Sequence, residues 1–484
     1  MLIPELDHDA IIRANREEYE SRSDSMKWLG LDDRARAEDA RQNLIRIIEQ
    51  HGSLAFNDTK PHHKSISPGC SLCGRGQWSC LFINNLCNAG CFFCPATQDN
   101  QDEPGTSTLT FTEPESYADY LDEFGFKGAS ISGGEPMLTF SKALSFVKHI
   151  KGRFGDSMYL WLYTNGTLAD EDKIRMLSDA GLDEIRFNIT ATGYDLSMAK
   201  TASGFIPNVT VEIPAIPEDL ETMKAKIGEM VDSGISFLNL HQIRCTQHNC
   251  MKLTDRGYTF LHGPQIGVLE SELTALALLK HAIEEDAGLG INYCSLIYRH
   301  RFQAMSSRKR LAPFMNKPFE DVTDAGMIRM ARMDGEPSAL HLMEQELISR
   351  GCDRSRFSSS MDKTKLWFSA ELLGLLNPLP AAVKLSYAIV SVRPGITYRN
   401  QFREISLASG RKIAMERATA FMDLELSGPE VELFSDAFVK GIPQVSPDEV
   451  YARALAICPS EAAARKWQKI IQAEALRSGL LEYY

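Results

Sequence analysis

The chain has 484 residues, of which 44% are hydrophobic, so it is long enough for a large core and about two domains. Its formal net charge of −12 argues against a nucleic-acid partner, because neutralising phosphates requires a basic surface. We find neither an apolar run long enough to cross a membrane nor a signal peptide, which predicts a cytoplasmic protein without a membrane partner. The 11 cysteines are therefore expected to be thiols or metal ligands and not disulfides.

The N-terminal part of the chain is predicted to be helical and then irregular. Residues 1–55 have the charged faces and spaced apolar positions of a helical segment. Residues 56–79 are rich in Pro, Gly, Ser and His, which predicts a loop. Near its end, Cys70 and Cys73 form a Cys-x2-Cys pair, a spacing that can supply two metal ligands from one turn, and Cys80 follows.

A second group of cysteines has the spacing Cys-x3-Cys-x2-Cys and consists of Cys87, Cys91 and Cys94. Three thiolates this close can hold three irons of a cubane 4Fe–4S cluster and leave the fourth iron open. Residues 81–85, just before them, form an apolar run typical of a buried strand. The alternative is a zinc site, since Cys-x2-Cys pairs commonly bind zinc.

Two further features give this segment a family resemblance. Phe93 is an aromatic residue directly before the third cysteine, and Ser132–Pro136 reads Ser-Gly-Gly-Glu-Pro after the next strand-like run. Together with the cysteines, these features resemble the radical S-adenosylmethionine (radical SAM) superfamily. The resemblance implies a 4Fe–4S cluster that reductively cleaves S-adenosylmethionine (SAM) to a 5′-deoxyadenosyl radical, which then abstracts a hydrogen atom from the substrate.

The resemblance also implies cofactor contacts at matching positions. The residues expected to contact SAM are Phe93, Gly133, Gly134, Glu135, Thr164, Asn165, Asn188, Glu212 and Leu240.

From residue 80 to about 294, strand and helix patterns alternate. The predicted strands are 80–85, 127–132, 158–163, 183–189, 208–214 and 236–241, and the predicted helices are 114–124, 141–153, 169–180, 194–201 and 218–233. A helix near 268–286 and a strand at 291–294 extend the pattern by a seventh unit. Repeated βα units imply parallel strands. The fold class is therefore α/β, and the resemblance implies a partial TIM-type (β/α)6 barrel over 56–298, with its chemistry at the C-terminal strand ends.

The end of the sixth predicted strand carries the candidate catalytic residues. His241 and Arg244 follow this strand, where they are expected to line the substrate pocket, and histidine can act as an acid or a base. The basic run Arg299–Arg301 could bind a carboxylate or phosphate, but we favour a solvated helix face.

The remaining cysteines leave several alternatives open. Cys294 is placed to join Cys70, Cys73 and Cys80 from across the barrel. These four residues could bind a second Fe–S cluster, bind zinc or remain free thiols. Cys245 and Cys250, which flank the end of the sixth strand, could be cluster ligands, but buried thiols are commoner. Cys352 and Cys458 are expected as core thiols.

Residues 299–484 are assigned to a C-terminal α+β domain that binds a substrate or partner. Alternating runs within 364–428 predict an antiparallel sheet, and 429–478 predict helices, with Ser460 as the cap of the last one.

Within the superfamily, the chain looks closest to the group related to pyruvate formate-lyase activating enzyme, because of Cys70–Cys73 and the Asn-Tyr-Cys segment that ends at Cys294. We expect a small-molecule or peptide substrate in a biosynthetic pathway and an electron donor such as flavodoxin or ferredoxin. The alternatives are a glycyl-radical activating enzyme, a reaction such as sulfur insertion that uses an auxiliary cluster, and a zinc-stabilised binding protein.

Overall fold

The computed structural model describes residues 8–100, 102–376, 382–440, 446–480 and 483. The chain divides into two compact units. The barrel unit runs to Ala304 and also includes Ser406–Arg411 and the residues from Ser478 onward. The C-terminal unit comprises Met305–Ile405 and Lys412–Arg477. No helix among the described residues is both long enough and apolar enough to span a bilayer.

A parallel sheet forms the framework of the barrel unit. Its strands, which pair in chain order, are β1 (Trp78–Phe82), β2 (Gly128–Ser132), β3 (Tyr159–Thr164), β4 (Glu184–Phe187), β5 (Asn208–Pro214), β6 (Phe237–His241) and β7 (Gly290–Cys294). Short antiparallel strands extend both edges: Lys60–His63 pairs with β7, and Gly105–Thr106 pairs with β1. The predicted partial barrel is thus present, and β7 adds the seventh strand.

Helices connect the successive parallel strands, as the alternating pattern predicts. They are Pro114–Glu123, Phe140–Phe154, Glu171–Asp179, Ser197–Ser203, Leu220–Asp232 and Leu269–Glu284. The start of Glu171–Asp179 shows the local cause of one boundary, because the Asp170 carboxylate accepts a hydrogen bond from the backbone N–H of Lys173 at 2.8 Å. Two N-terminal helices, His8–Tyr19 and Leu31–His51, precede the sheet.

The loop predicted for residues 56–79 is wrong in part. This segment contains the strand Lys60–His63 and the short helix Pro68–Gly74. The helix begins where Ser67 Oγ accepts a hydrogen bond from the backbone N–H of Cys70 at 3.1 Å, and Pro68 occupies its first turn. The composition rich in Pro, Gly and Ser favoured a loop, and for this reason the capped start of this helix was not predicted.

The parallel strands place polar side chains on the inner face of the barrel. In β3, Leu160 and Leu162 are buried and alternate with Trp161 and Tyr163, which line an interior cavity. Because side chains alternate between faces, the apolar set packs under the helices while the other set faces the barrel interior. This alternation leaves a polar interior in which chemistry can take place.

The C-terminal unit contains the predicted antiparallel sheet. Its main strands are Ile328–Asp334, Lys365–Phe368, Val383–Arg393, Gln401–Ser406 and Lys412–Leu426, and its main helices are Pro337–Ser349, Pro429–Phe438, Pro447–Ile457 and Glu461–Glu474. Ser460 caps the last helix, as predicted, by accepting from the backbone N–H of Ala463. The core thiol expected at Cys458 is wrong, because this residue is exposed just beyond the end of a helix.

Candidate active site

The cysteine loop Cys87–Cys94 follows β1 and is held by hydrogen bonds to its backbone. The N–H of Cys87 donates to the carbonyl of Gln98 at 3.0 Å, and the N–H of Cys94 donates to the carbonyl of Cys91 at 3.2 Å. From beyond β6, the side-chain amide of Asn249 donates to the carbonyl of Phe93 at 3.0 Å. These contacts fix the backbone that presents the three thiols.

The glycine pair after β2 packs against the end of β1 and against Leu86, the residue just before this loop. Gly133 and Gly134 have φ values of +82° and +61°, which favour glycine. A Cβ on Gly134 would overlap the carbonyl oxygen of Leu86, and one on Gly133 would lie 2.7 Å from Cα of Phe82. The next residue, Glu135, donates its backbone N–H to the carbonyl of Leu86 at 2.6 Å. The glycines therefore allow close approach to the cysteine loop.

The carboxylate of Glu135 is turned into the protein interior. Its Oε1 accepts from the backbone N–H of Met137 at 2.9 Å and from Thr164 Oγ1 at 2.8 Å, while Oε2 accepts from the backbone N–H of Asn165 at 2.6 Å. Burial raises the pKa of this carboxyl, and these hydrogen bonds partly offset that effect. Glu135 thus connects the end of β2 to the end of β3.

A cavity of about 340 Å³, which we call the upper cavity, opens beside the cysteine loop. Its wall brings together the three cysteines and most of the predicted cofactor and catalytic residues: Cys87, Cys91, Cys94, Phe93, Gly134, Thr164, Asn165, Asn188, Glu212, His241 and Arg244. Gly133, Glu135 and Leu240 are not on this wall. Leu240 is fully buried because it alternates with the inward-facing Asn239 and His241.

The donor set on the wall of the upper cavity fits a cubane cluster. Cys87, Cys91 and Cys94 are half-buried, carry free thiols and are the three cysteines on that wall among the described residues. Burial raises the pKa of the Cys91 thiol, and the neighbouring Cys87 and Cys94 raise it further, as expected for sulfurs that lie close together. Nearby, Nδ2 of Asn165 donates to the side-chain Oδ1 of Asn88 at 2.8 Å and lies 3.8 Å from Cys87 Sγ.

A second cavity of about 300 Å³, the lower cavity, occupies the interior of the barrel. It shares wall residues with the upper cavity, namely Ser132, Tyr163, Arg186, Glu212, His241 and Arg299. The two cavities therefore share a wall. Each of the strands β2 to β6 contributes one residue to this wall, and Arg299, which follows β7, contributes the sixth.

A buried charge network spans this shared wall. Arg186 pairs with Glu184 at 2.8 Å and with Glu212 at 2.6 Å. The other carboxylate oxygen of Glu212 lies 2.6 Å from His241 Nε2, and Asn239 Nδ2 donates to Glu212 at 3.0 Å. Arg186 was not predicted as a site residue. Its charge between the apolar Ile185 and Phe187 could have indicated a polar inner face of the barrel.

The lower cavity also gathers the other predicted ligand set. Cys70 and Cys73 come from the short helix Pro68–Gly74, Cys80 from β1 and Cys294 from the end of β7. Burial raises the pKa of the Cys80 and Cys294 thiols to about 12.

Two other cysteines occupy a separate environment. Cys245 and Cys250 are buried in an apolar cluster with Tyr19, away from the wall of either cavity. Burial raises the pKa of the Cys245 thiol to about 12. These two residues behave as core thiols in this structure.

The basic run Arg299–Arg301 does not form the solvated helix face that we favoured. Arg299 lines both cavities, and its Nε donates to Cys294 Sγ at 3.5 Å. Arg301 is buried and donates to the carbonyl of Gly479 at 2.8 Å. Lys60, which was not predicted, lines the lower cavity and is only 1% exposed. Its position in a Pro- and His-rich segment carried no indication of a barrel-lining role.

The fold and the site define a class of protein: a parallel partial barrel whose first strand leads into a loop of three free thiols, beside a cavity that Gly134 of the glycine pair lines. The Radical SAM superfamily model matches residues 81–224. A Methanocaldococcus jannaschii protein, provisionally named a glycyl-radical enzyme activating enzyme, is 30% identical over 275 residues, covering 54% of this chain and 72% of that protein. The chain belongs to the radical SAM superfamily, whose members are enzymes that use SAM and a 4Fe–4S cluster.

Other similarities are more distant. A Methanococcus aeolicus protein named as a probable GTP 3′,8-cyclase is 28% identical over 162 residues, covering 33% of this chain and 48% of that protein. The SAM-bound structure of Streptococcus suis SuiB has a TM-score of 0.33 at 10% identity, covering 60% of this chain and 61% of that one. The family assignment rests on the family model and the M. jannaschii relative.

Proposed function

We propose that this enzyme binds SAM in the upper cavity and removes a hydrogen atom from a small polar molecule or a peptide segment that binds at the wall shared by the two cavities. Cys87, Cys91 and Cys94 would hold the 4Fe–4S cluster, which supplies the electron that cleaves SAM to the hydrogen-abstracting radical. The observation that carries this proposal is the wall shared by the two cavities. A substrate bound against the polar groups of that wall would lie next to SAM.

The wall of the upper cavity offers two kinds of chemistry. Phe93 presents an aromatic side chain, while Thr164, Asn165 and Asn188 present hydroxyl and amide groups. Such groups suit the hydroxyls of a ribose, whereas an aromatic side chain suits the face of a purine. Glu135 supports this arrangement indirectly, because its carboxylate holds Thr164 and Asn165 in position.

The shared wall supplies the groups that would act on the substrate. His241 is held by Glu212 and faces both cavities, so it can hold or release a proton next to a reacting group. Arg186 is locked by two carboxylates and fixes Glu212 in turn. Arg244 is exposed at the upper cavity, where it is placed to contact an anionic group of a ligand. An electron donor such as flavodoxin or ferredoxin would reduce the cluster.

A second candidate function is activation of a partner protein through a glycyl radical. The observation that favours it is the similarity to the M. jannaschii relative, which extends over 72% of that protein. A third candidate is sulfur insertion or another reaction that uses an auxiliary cluster, which the four cysteines around the lower cavity favour.

The proposal is tested by reconstituting the protein anaerobically with iron and sulfide, then adding SAM and dithionite. We expect 5′-deoxyadenosine and methionine to form in equal amounts. The combined variant Cys87→Ala, Cys91→Ala, Cys94→Ala should form neither, while Cys352→Ala, which removes a thiol from the C-terminal unit, should match the wild type. Product formation by the combined variant would contradict the site assignment.

The role of the shared wall needs a separate test. Replacing Ser132 with Leu should fill space at this wall, which borders both cavities. If substrate binds there, this variant should transfer less hydrogen for each SAM molecule that it cleaves, measured as deuterium carried from a labelled candidate substrate into 5′-deoxyadenosine. A glycyl radical detected by electron paramagnetic resonance on an added partner protein would favour the second candidate.

A further inference from the structure

The lower cavity combines four thiols from three separate elements. Cys70 and Cys73 lie on the helix Pro68–Gly74, which packs against β1, β2 and β3, while Cys80 and Cys294 lie on the first and last parallel strands. All four side chains line one cavity of about 300 Å³. The convergence is a property of the fold, because Cys70 and Cys294 are separated by most of the barrel sequence.

Nitrogen donors already surround the sulfurs of this group. Asn239 Nδ2 lies 3.2 Å from Cys70 Sγ, and Gln303 Nε2 lies 3.1 Å from Cys73 Sγ. Arg299 Nε lies 3.5 Å from Cys294 Sγ. A neutral thiol is a weak acceptor, whereas a metal-bound thiolate accepts such hydrogen bonds strongly. N–H groups directed at sulfur are also one of the factors that set the reduction potential of protein Fe–S clusters.

Two buried cations on the cavity wall, Lys60 and Arg299, form no ion pair with a carboxylate in the part of the chain that the structure describes. Lys60 is 1% exposed, its Nζ lies 4.3 Å from the centre of the Tyr298 ring, and it forms no ion pair with a described carboxylate. Arg299 likewise has no such ion pair within the described ranges. Glu212, the carboxylate on the cavity wall, is already bound by Arg186 and His241. An isolated buried cation costs several kcal/mol, so a net anionic occupant would be stabilised here.

We propose that Cys70, Cys73, Cys80 and Cys294 bind a second iron–sulfur cluster in the lower cavity, with Lys60 and Arg299 as its countercharges. Each thiolate of a cubane cluster binds a separate iron, so four thiols from three different elements can all serve as ligands. The proposal does not depend on which substrate the enzyme uses.

The decisive variant leaves the lower cavity intact and removes the other cluster. We expect Cys87→Ala, Cys91→Ala, Cys94→Ala, reconstituted anaerobically with ferrous iron and sulfide, to retain iron and sulfide in equal amounts. The content of this variant should be about half that of the wild type for a second 4Fe–4S cluster and about one third for a 2Fe–2S cluster. Its reduced electron paramagnetic resonance spectrum should not change when SAM is added. Retention of zinc without sulfide, or of no metal, would overturn the proposal.

The reciprocal variant assigns the ligands. Cys73→Ala with Cys294→Ala should lose the SAM-insensitive signal but keep the SAM-sensitive one, which also shows that the barrel has folded. Cys458→Ala removes an exposed thiol and should keep both signals. If the reciprocal variant keeps full iron and sulfide, these cysteines are not ligands.

The role of Lys60 as a countercharge is tested by measuring the reduction potential of the second cluster. Lys60→Met removes a buried positive charge next to an anionic cluster, so the reduction potential of the SAM-insensitive cluster should fall. Lys60→Arg should restore it. A purely structural lysine would not affect the potential of one cluster selectively. An unchanged potential of the SAM-insensitive cluster in Lys60→Met would therefore remove Lys60 from the proposal.

Discussion

His241 Nε2 lies 2.6 Å from Oε1 of Glu212, on the wall that separates the two cavities. Glu212 is also the carboxylate that pairs with the buried Arg186 at 2.6 Å. One carboxylate therefore holds both a titratable group and a fixed cation at the centre of the site. Its removal should affect stability as well as chemistry.

We expect Glu212→Gln to lower the free energy of unfolding by about 2 kcal/mol, because Arg186 loses one charged hydrogen bond but keeps Glu184. Chemical denaturation monitored by circular dichroism measures this change. Glu221→Gln is the matched control, since the exposed pair of Glu221 with Lys224 contributes little. Equal effects of the two substitutions would contradict a special role for the buried network.

Gly134→Ala should destabilise the barrel unit on the order of 3 kcal/mol and impair cluster loading. The added methyl group would overlap the Leu86 carbonyl of the cysteine loop and would also occupy a left-handed conformation. Gly193→Ala has a similar positive φ but open space around it, so it should cost only about 1 kcal/mol. Thermal unfolding and iron content distinguish the steric effect from the conformational one.

Glu135→Gln should cost about 2 kcal/mol and slow SAM cleavage. The buried carboxylate accepts three hydrogen bonds, and an amide would direct its NH₂ at a backbone N–H. Misplacement of Asn165 would follow, because its backbone N–H donates to this carboxylate. Denaturation curves and 5′-deoxyadenosine assays measure both effects, with the exposed Glu123→Gln expected to behave like the wild type.

His262 should make stability depend on pH in the mildly acidic range. It stacks on Trp28 with ring centres 4.0 Å apart, and burial lowers its pKa from 6.5 to about 4. Because the folded pKa is depressed, its contribution is complete above pH 6.5 and is lost as the pH falls toward 4. Unfolding midpoints across this range should fall less steeply for His262→Gln than for the wild type. The exposed His149→Gln should keep the wild-type slope.

Much of the barrel was predictable because its signals are local. Apolar runs and helix periodicity depend on near neighbours, so the predicted strands and helices overlap the observed ones closely. The helix Pro68–Gly74 was missed because its starting cap, Ser67, lies among residues that also favour loops. The burial of Cys458 was misjudged because a single cysteine outside any spacing pattern does not indicate whether its side chain is buried or exposed.

The candidate site, too, was predictable from the sequence only in part. The spacing of Cys87, Cys91 and Cys94 indicated their shared role, and the end of each strand indicated which residues would meet. Sequence could not show that Arg299 turns into the barrel, because an arginine on a helix is usually solvated and only its packing neighbours decide otherwise.

The amino-acid sequence by itself determined the superfamily, the cofactor chemistry and the order of the βα units, because cysteine spacing and hydrophobic periodicity are short-range properties. Only the tertiary structure decided that Gly134 makes room for the cysteine loop and that Glu135 faces inward. It also decided that four distant thiols share one cavity with Lys60. These relationships join residues far apart in the chain, and closing the sheet around a polar interior is what brings them into contact.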